Sequence, residues 1–135
     1  MLVLFVGSFD PFTIGHRHVV ERALTLFDEV VVGIGVNPDK HYLFGVDERK
    51  RMIQDIFRHE KRVRVETYEG MTVDFASEIG ARCIIKGVRN TEDFEYEYHQ
   101  AQYNRQQTGI ETLLLCADKD FEHVSSTSAR AEIRG

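Results

Sequence analysis

The spacing of apolar residues changes along the chain between a strand-like and a helix-like pattern, and this predicts strands that alternate with helices. Short apolar or alternating runs predict five strands, at residues 2–6, 29–36, 62–68, 82–86 and 111–116. Between them, apolar residues recur at helical spacing, as Val19, Val20, Ala23, Leu24 and Phe27 do within residues 14–27. Further helices are predicted at residues 47–57, 72–79 and 91–107 and from residue 125 or 126 onward.

The expected helix starts are polar residues that suit a cap, namely Asp47, Thr72, Asn90 or Thr91, and Ser125 or Ser126. Strands that alternate with helices indicate βαβ units and a parallel sheet. We therefore expect a single α/β domain over residues 1–135 with a Rossmann-like fold, built on a five-stranded parallel sheet with helices on both faces. Ligands of such sheets bind at the carboxyl ends of the strands, here the loops 7–14, 37–46, 69–72, 87–91 and 117–127.

Composition narrows the class of protein. The chain has 135 residues, 42% of them hydrophobic, and a formal net charge of −5. A general nucleic-acid binder is usually basic, so any polyanionic ligand should be met by a local group of cations. No apolar run approaches the roughly 20 residues that span a bilayer, and the apolar N-terminus suits a first strand, so we expect a cytoplasmic protein without membrane partners. Cys83 and Cys116 both lie in apolar runs and are expected to be buried, reduced thiols.

The segment 7–16, GSFDPFTIGH, joins the first strand to the first helix. Gly7 allows the backbone to approach a ligand closely, and Ser8 offers a hydroxyl and an N–H group. His16 lies in the first helical turn, where a cation or N–H donor can stabilise charge on a phosphate. The simpler alternative is that Asp10 and Thr13 only cap the helix and that His16 is a surface residue.

Two further segments suit anions. In residues 85–97, IKGVRNTEDFEYE, Lys86 and Arg89 flank a glycine between a strand and a helix start, although such cations are also commonplace. Residues 124–127, VSST, place three hydroxyl residues at a helix start, where they either bind phosphate or serve only as a cap. Lys40 and Thr72 lie in two other loops of the same edge, and both have ordinary structural explanations.

These segments together resemble a known family. Residues 8–16 resemble the (T/S)-F-D-P-x-x-x-G-H signature of the nucleotidyltransferase superfamily. Residues 86–97 are similar to the R-G-(L/I/V)-R-x-x-x-D-F-E-Y-E motif of bacterial phosphopantetheine adenylyltransferases, with Lys86 where that motif has arginine. Residues 124–127 resemble the family's I-S-S-(S/T) motif, and the likeness extends from residue 1 to about residue 130. Family members continue beyond that point, so a C-terminal helical tail is expected to be short or missing in this sequence.

The resemblance implies a role for each site residue. His16 would stabilise the transition state at the α-phosphorus without acting as a nucleophile. The acceptor would be bound by four residues, Ser8, Lys40, Thr72 and Lys86, of which Lys40 and Lys86 would hold its phosphate. The ATP site would be formed by His16 together with Ser8, Phe9, Gly87, Val88, Arg89, Glu97, Phe121, Glu122, His123, Val124, Ser125, Ser126 and Thr127.

The resemblance also implies chemistry and partners. The substrates would be ATP and 4′-phosphopantetheine, and the products dephospho-coenzyme A and pyrophosphate. Mg²⁺ would bind mainly through ATP phosphates, with no dedicated protein ligands for a metal. A homohexamer is expected, with coenzyme A as a feedback inhibitor and no nucleic-acid partner.

Three alternatives stay open from the sequence. One is an adenylyl- or cytidylyltransferase with another acceptor, against which the DFEYE segment argues. Another is a catalytically weak nucleotide-binding or assembly protein. The third is a nucleic-acid-binding regulator on the same fold, which the acidic balance disfavours.

Overall fold

A computed structural model describes residues 1–116 of the chain, in which five strands form one parallel sheet. The strands are β1 (Leu2–Gly7), β2 (Glu29–Gly35), β3 (Val63–Tyr68), β4 (Ile84–Val88) and β5 (Thr112–Cys116). Their order is β3-β2-β1-β4-β5, so the direction of winding reverses between β1 and β4. This confirms the predicted fold class and places a ligand-binding crevice at the carboxyl ends of these two strands.

Four helices connect the strands: α1 (Ile14–Ala23), α2 (Val46–Ile56), α3 (Thr72–Glu78) and α4 (Thr91–Thr108). Successive residues of a strand point to opposite faces of a sheet, and Leu4 and Phe5 enter two separate cores. Phe5 packs with Val20 of α1 and Ile53 of α2 on one face. On the other face, Leu4 packs with α3. The predicted helices on both faces are therefore confirmed.

The central strands are buried on both faces, which explains their unbroken apolar sequence. Val30, Val31 and Val32 of β2 are all fully buried, as parallel strands covered by helices on both sides must be. Among residues 1–116, no helix is long and apolar enough to cross a membrane.

Several local predictions were wrong. Helix α1 ends at Ala23, four residues before residue 27, and Leu24 is its C-cap. Helix α2 begins after Gly45, so Asp47 lies in its first turn, where a carboxylate favours the positive end of the helix dipole.

Two further predictions need correction. Met71 and not Thr72 is the N-cap of α3, because the Thr72 hydroxyl is 2.9 Å from the Tyr68 hydroxyl instead of bonding the helix start. Cys83 is buried as predicted, but Cys116 is exposed at the end of edge strand β5. By contrast, Asn90 caps α4 as predicted, and its side chain accepts from the Asp93 N–H at 2.9 Å.

Candidate active site

The turn after β1 holds Phe9 and Asp10 in fixed positions at the edge of the sheet. Phe9 is buried and has φ +52, a left-handed conformation that is costly for an aromatic residue. Gly7 makes room for it, since a Cβ there would lie 2.9 Å from the Phe9 ring. The Asp10–Pro11 peptide is cis. The turn is therefore fixed by its own packing, a common property of functional loops.

A buried hydrogen-bond network ties this turn to the loop before α2. The Asp10 carboxylate accepts from the backbone N–H groups of Leu43 and Phe44, at 2.7 and 2.8 Å. Arg49, only 2% exposed, donates to the Ser8 carbonyl at 2.7 Å and to the Phe44 carbonyl at 3.0 Å. Sequence analysis missed Arg49, although an arginine at a helical position that should face inward is a usable signal of a buried partner.

His16 is held in one orientation by Thr13. Its Nδ1 accepts from the Thr13 backbone N–H at 2.9 Å and lies 3.1 Å from the Thr13 hydroxyl. The hydroxyl in turn accepts from the His16 N–H, which completes a capping box at the start of α1. Because Nδ1 is occupied as an acceptor, the proton of a neutral imidazole lies on Nε2. The simpler alternative had Thr13 only as a helix cap; here Thr13 caps the helix and also sets the tautomer of His16.

The ring of His16 is partly buried among aromatic side chains. Its centroid lies 5.0 Å from that of Phe9 in an edge-on arrangement and 5.3 Å from that of Phe12. This burial, reinforced by the positive charges of Arg89 and Lys86, lowers the pKa of His16 from 6.5 to about 4. The imidazole is therefore a neutral N–H donor near pH 7, not a cation. Arg89 and Lys86 act on it because the fold brings them into the same neighbourhood, as predicted.

Two ion pairs link the end of β4 and the residue after it to the first turns of α4. Lys86 Nζ lies 3.7 Å from Glu97 Oε1, and burial raises the pKa of Glu97 while the Lys86 ammonium partly offsets that effect. Arg89 Nε lies 2.8 Å from Asp93 Oδ2, and the Arg89 backbone N–H also donates to this oxygen at 3.0 Å. Burial alone would raise the pKa of Asp93, but its hydrogen bonds to Arg89 outweigh it and lower the pKa overall.

A cavity of about 290 Å³ opens beside Lys86, between α3, α4 and the face of the sheet. It brings together three predicted residues, Thr72, Lys86 and Glu97. Its wall also includes residues that sequence analysis did not identify: Val6, Met71, Tyr96, Gln100, Tyr103, Asn104 and Thr112. Positions 96, 100, 103 and 104 of α4 have helical spacing, which is a usable signal that they share one face of the helix.

The remaining predicted residues are less closely grouped. Lys40 is exposed in the loop after β2, with Nζ 5.6 Å from the centre of the Tyr42 ring. Gly87 lies close beneath α1, where a Cβ would be 3.0 Å from a methyl group of Val19, and Val88 is buried at the end of β4. The predicted ATP segment, Phe121 to Thr127, lies outside the described residues.

Carboxylates of this site are already engaged by protein groups. Asp10 binds two backbone N–H groups, Asp93 binds Arg89, and Glu97 pairs with Lys86. Within residues 1–116, no group of three or more His, Cys, Asp or Glu side chains could hold a metal ion.

Comparison with known proteins places this geometry in a family. Residues 4–132 match the Cytidylyltransferase-like family. The phosphopantetheine adenylyltransferase of Bacteroides fragilis is 47% identical over 127 residues, covering 94% of this chain and 85% of the relative. That of Flavobacterium johnsoniae is 44% identical over 131 residues, covering 97% of this chain and 86% of the relative.

Solved structures agree on the fold alone. A bifunctional NMN adenylyltransferase/ADP ribose pyrophosphatase from Francisella tularensis, complexed with AMP and a manganese ion, superposes with a TM-score of 0.68 at 18% identity. The match covers 97% of this chain and 40% of that one. A lipopolysaccharide core biosynthesis protein from Thermoplasma volcanium gives a TM-score of 0.62 at 22% identity, covering 88% and 97%. By sequence and by fold, this chain belongs to the Cytidylyltransferase-like family and, within it, to the phosphopantetheine adenylyltransferases.

Proposed function

We propose that this protein transfers the adenylyl group of ATP to 4′-phosphopantetheine, which yields dephospho-coenzyme A and pyrophosphate. The observation that carries the proposal is the cavity beside Lys86, together with the charges of Lys86 and Arg89 that act on the N–H-donating His16. A cavity with a lysine ammonium in its wall suits a phosphorylated acceptor with a long arm. The names of the relatives support the same substrates.

The reaction needs no nucleophile from the protein. An oxygen of the acceptor phosphate attacks the α-phosphorus of ATP, and the bond between that phosphorus and the β-phosphate oxygen breaks. Pyrophosphate leaves with the electron pair, so no covalent enzyme intermediate forms. The contribution of the protein is to position two anions and to stabilise charge in the transition state.

Each site residue has a proposed part in this step. The Nε2–H of His16 donates to an α-phosphate oxygen as negative charge develops there. Lys86 and Lys40 hold the acceptor phosphate, and Thr72 and Ser8 contact the acceptor. Arg89, Glu97, Phe9, Gly87 and Val88 form the described part of the ATP site, and residues 121–127 complete it.

Mg²⁺ enters as part of the MgATP substrate, because the carboxylates near the phosphates already have protein partners. Coenzyme A, which contains the product's structure, is proposed to compete for the same site. A cytoplasmic location and a homohexameric assembly complete the proposal, and sedimentation equilibrium of the purified chain tests the assembly.

Release of pyrophosphate tests the proposed reaction directly. The purified chain is incubated with ATP, Mg²⁺ and 4′-phosphopantetheine, with parallel reactions that lack the acceptor or replace ATP with CTP. We expect pyrophosphate and dephospho-coenzyme A in equal amounts, and neither without the acceptor. Calorimetric binding of both substrates without turnover would instead favour a nucleotide-binding protein, and activity with CTP alone would favour a cytidylyltransferase.

A further inference from the structure

One hydroxyl in the wall of the acceptor cavity has no hydrogen-bond partner. Thr112 is the first residue of β5 and lines the cavity beside Lys86. Its Oγ1 is buried, and it is the only such side-chain atom among residues 1–116 without a partner. Buried hydroxyl groups are nearly always paired, so an unpaired one at the wall of a cavity calls for a partner there, either a water molecule or a ligand.

The position of Thr112 relative to Lys86 is set by the sheet. Thr112 pairs with Ile84, and Lys86 lies two residues further along the same strand and on the same face. Residues two apart on a strand are separated by about 7 Å. Thr112 therefore lies on the strand next to that of Lys86 and about 7 Å further from the carboxyl ends of the strands. A ligand whose phosphate lies at Lys86 and whose arm enters this cavity would pass Thr112.

Among the sheet residues that line the cavity, Thr112 is the one that carries a hydroxyl group. Val6 and Ile84 supply apolar wall on the sheet, while Gln100 and Asn104 line the opposite side on α4. A rotation about the Cα–Cβ bond exchanges the methyl and hydroxyl groups of a threonine, so the side chain can turn its hydroxyl toward a ligand. A hydroxyl both donates and accepts, and therefore suits an amide of either orientation.

We infer that Thr112 is a specificity-determining residue of the acceptor cavity, whose hydroxyl forms a hydrogen bond with an amide group of the acceptor's arm. This inference rests on the proposed function, since it takes a phosphopantetheine-like molecule as the ligand. It adds a polar contact from β5, a strand to which no motif of the sequence assigns a role in binding.

Thr112→Val tests the inference, because it removes the hydroxyl and keeps the branched shape that a strand favours. The KM for 4′-phosphopantetheine should rise roughly three- to tenfold, the range for one neutral hydrogen bond, while the KM for ATP stays within twofold. Thr112→Ser keeps the hydroxyl and should stay within twofold of wild type for both substrates. The thermal unfolding midpoint of the free Thr112→Val protein should equal or exceed that of wild type, since the removed group has no partner to lose.

n-Butyl phosphate tests the binding of the phosphate without the amide-containing arm. It carries a phosphate and no amide, and its inhibition constant against 4′-phosphopantetheine should be the same for wild type and Thr112→Val within twofold. A parallel rise in this constant, or an unchanged KM for 4′-phosphopantetheine, would overturn the inference. Absence of turnover by the wild-type protein would instead overturn the proposed function, so the two failures are distinguishable.

Discussion

The protonation state of His16 follows from its immediate neighbours. Thr13 occupies Nδ1, aromatic rings exclude water, and two nearby cations disfavour a further positive charge. A neutral imidazole with its proton on Nε2 keeps a directional N–H group for the substrate at neutral pH. Repulsion among three cations is thereby avoided before an anion binds.

Replacing His16 tests its proposed contact with the transition state. His16→Ala should lower kcat by about a hundredfold or more, because it removes a donor at a developing charge. Binding of ATP should change less than about threefold, since the triphosphate keeps its other contacts. His16→Gln, whose terminal amide can place an N–H near the position of Nε2, should retain more activity than His16→Ala.

Steady-state pyrophosphate release gives kcat, and calorimetry with ATP gives the affinity. A His16→Ala variant that loses affinity in proportion to its rate would show that His16 binds the ground state and does not act selectively on the transition state.

The low pKa of His16 should also appear in stability. The unfolded chain binds a proton near pH 6.5 and the folded protein only near pH 4, so acidification between these values favours unfolding. The unfolding free energy should fall by up to about 3 kcal/mol between pH 6.5 and pH 4 because of His16 alone, and His16 should cause no further loss below pH 4. Urea unfolding of wild type and His16→Gln at pH 7.5 and pH 4.5 measures this. An equal loss of unfolding free energy in both proteins would contradict the assigned pKa.

At the scale of elements, Arg49 and Asp10 join the β1–α1 turn to the start of α2. Asp10 holds two backbone N–H groups and Arg49 holds two carbonyls, so four main-chain groups depend on two buried side chains. Ser8 belongs both to this network and to the proposed acceptor site. A substitution in α2 that moves Ser8 should therefore weaken binding of the acceptor.

Arg49→Met should destabilise the fold and the site together. It leaves the carbonyls of Ser8 and Phe44 without a donor, which we expect to cost about 2 to 3 kcal/mol of unfolding free energy. Arg51→Met, on the exposed side of the same helix, should cost less than about 0.5 kcal/mol. Urea unfolding measures both, and the KM for 4′-phosphopantetheine should rise only in the first variant. Equal stability of the two variants would show that water replaces the guanidinium.

Element types were predictable because buried strands and amphipathic helices leave strong periodic patterns. Helix ends were less so: the apolar spacing continues to Phe27, although α1 stops at Ala23 before a turn. The start of α2 was missed because Gly45 supplies no side-chain cap. Asn90, whose side chain does bond the helix start, was predicted correctly.

At the scale of the whole molecule, ligand binding should stabilise the folded chain. An acceptor at about 100 times its Kd adds roughly 2.7 kcal/mol, enough to raise the thermal unfolding midpoint by several degrees. 4′-Phosphopantetheine should produce this shift, whereas pantetheine, which lacks the phosphate that Lys86 and Lys40 are proposed to hold, should produce much less. Differential scanning fluorimetry at matched concentrations makes the comparison. Equal shifts would show that the arm and not the phosphate determines binding.

Strand order and the acceptor cavity depend on long-range packing that no local pattern contains. The sequence motifs pointed to Lys86, Arg89 and His16 because their loops lie at one edge of a parallel sheet. Gln100, Asn104 and Thr112 become neighbours only when α4 crosses β4 and β5. The cap residue Asn90 predicted the start of that crossing helix, but nothing in its residues identified which face lines a cavity.

Helix α4 lines the proposed acceptor cavity from Glu97, which is also assigned to the ATP site, to Asn104. Glu97 and Asn104 are seven residues apart, which corresponds to about 10.5 Å of helix. The spacing of these side chains along the helix therefore limits the length of acceptor arm that fits the cavity. Enzymes redesigned for a shorter or longer arm should need changes at positions 100 and 104, while Glu97 is kept.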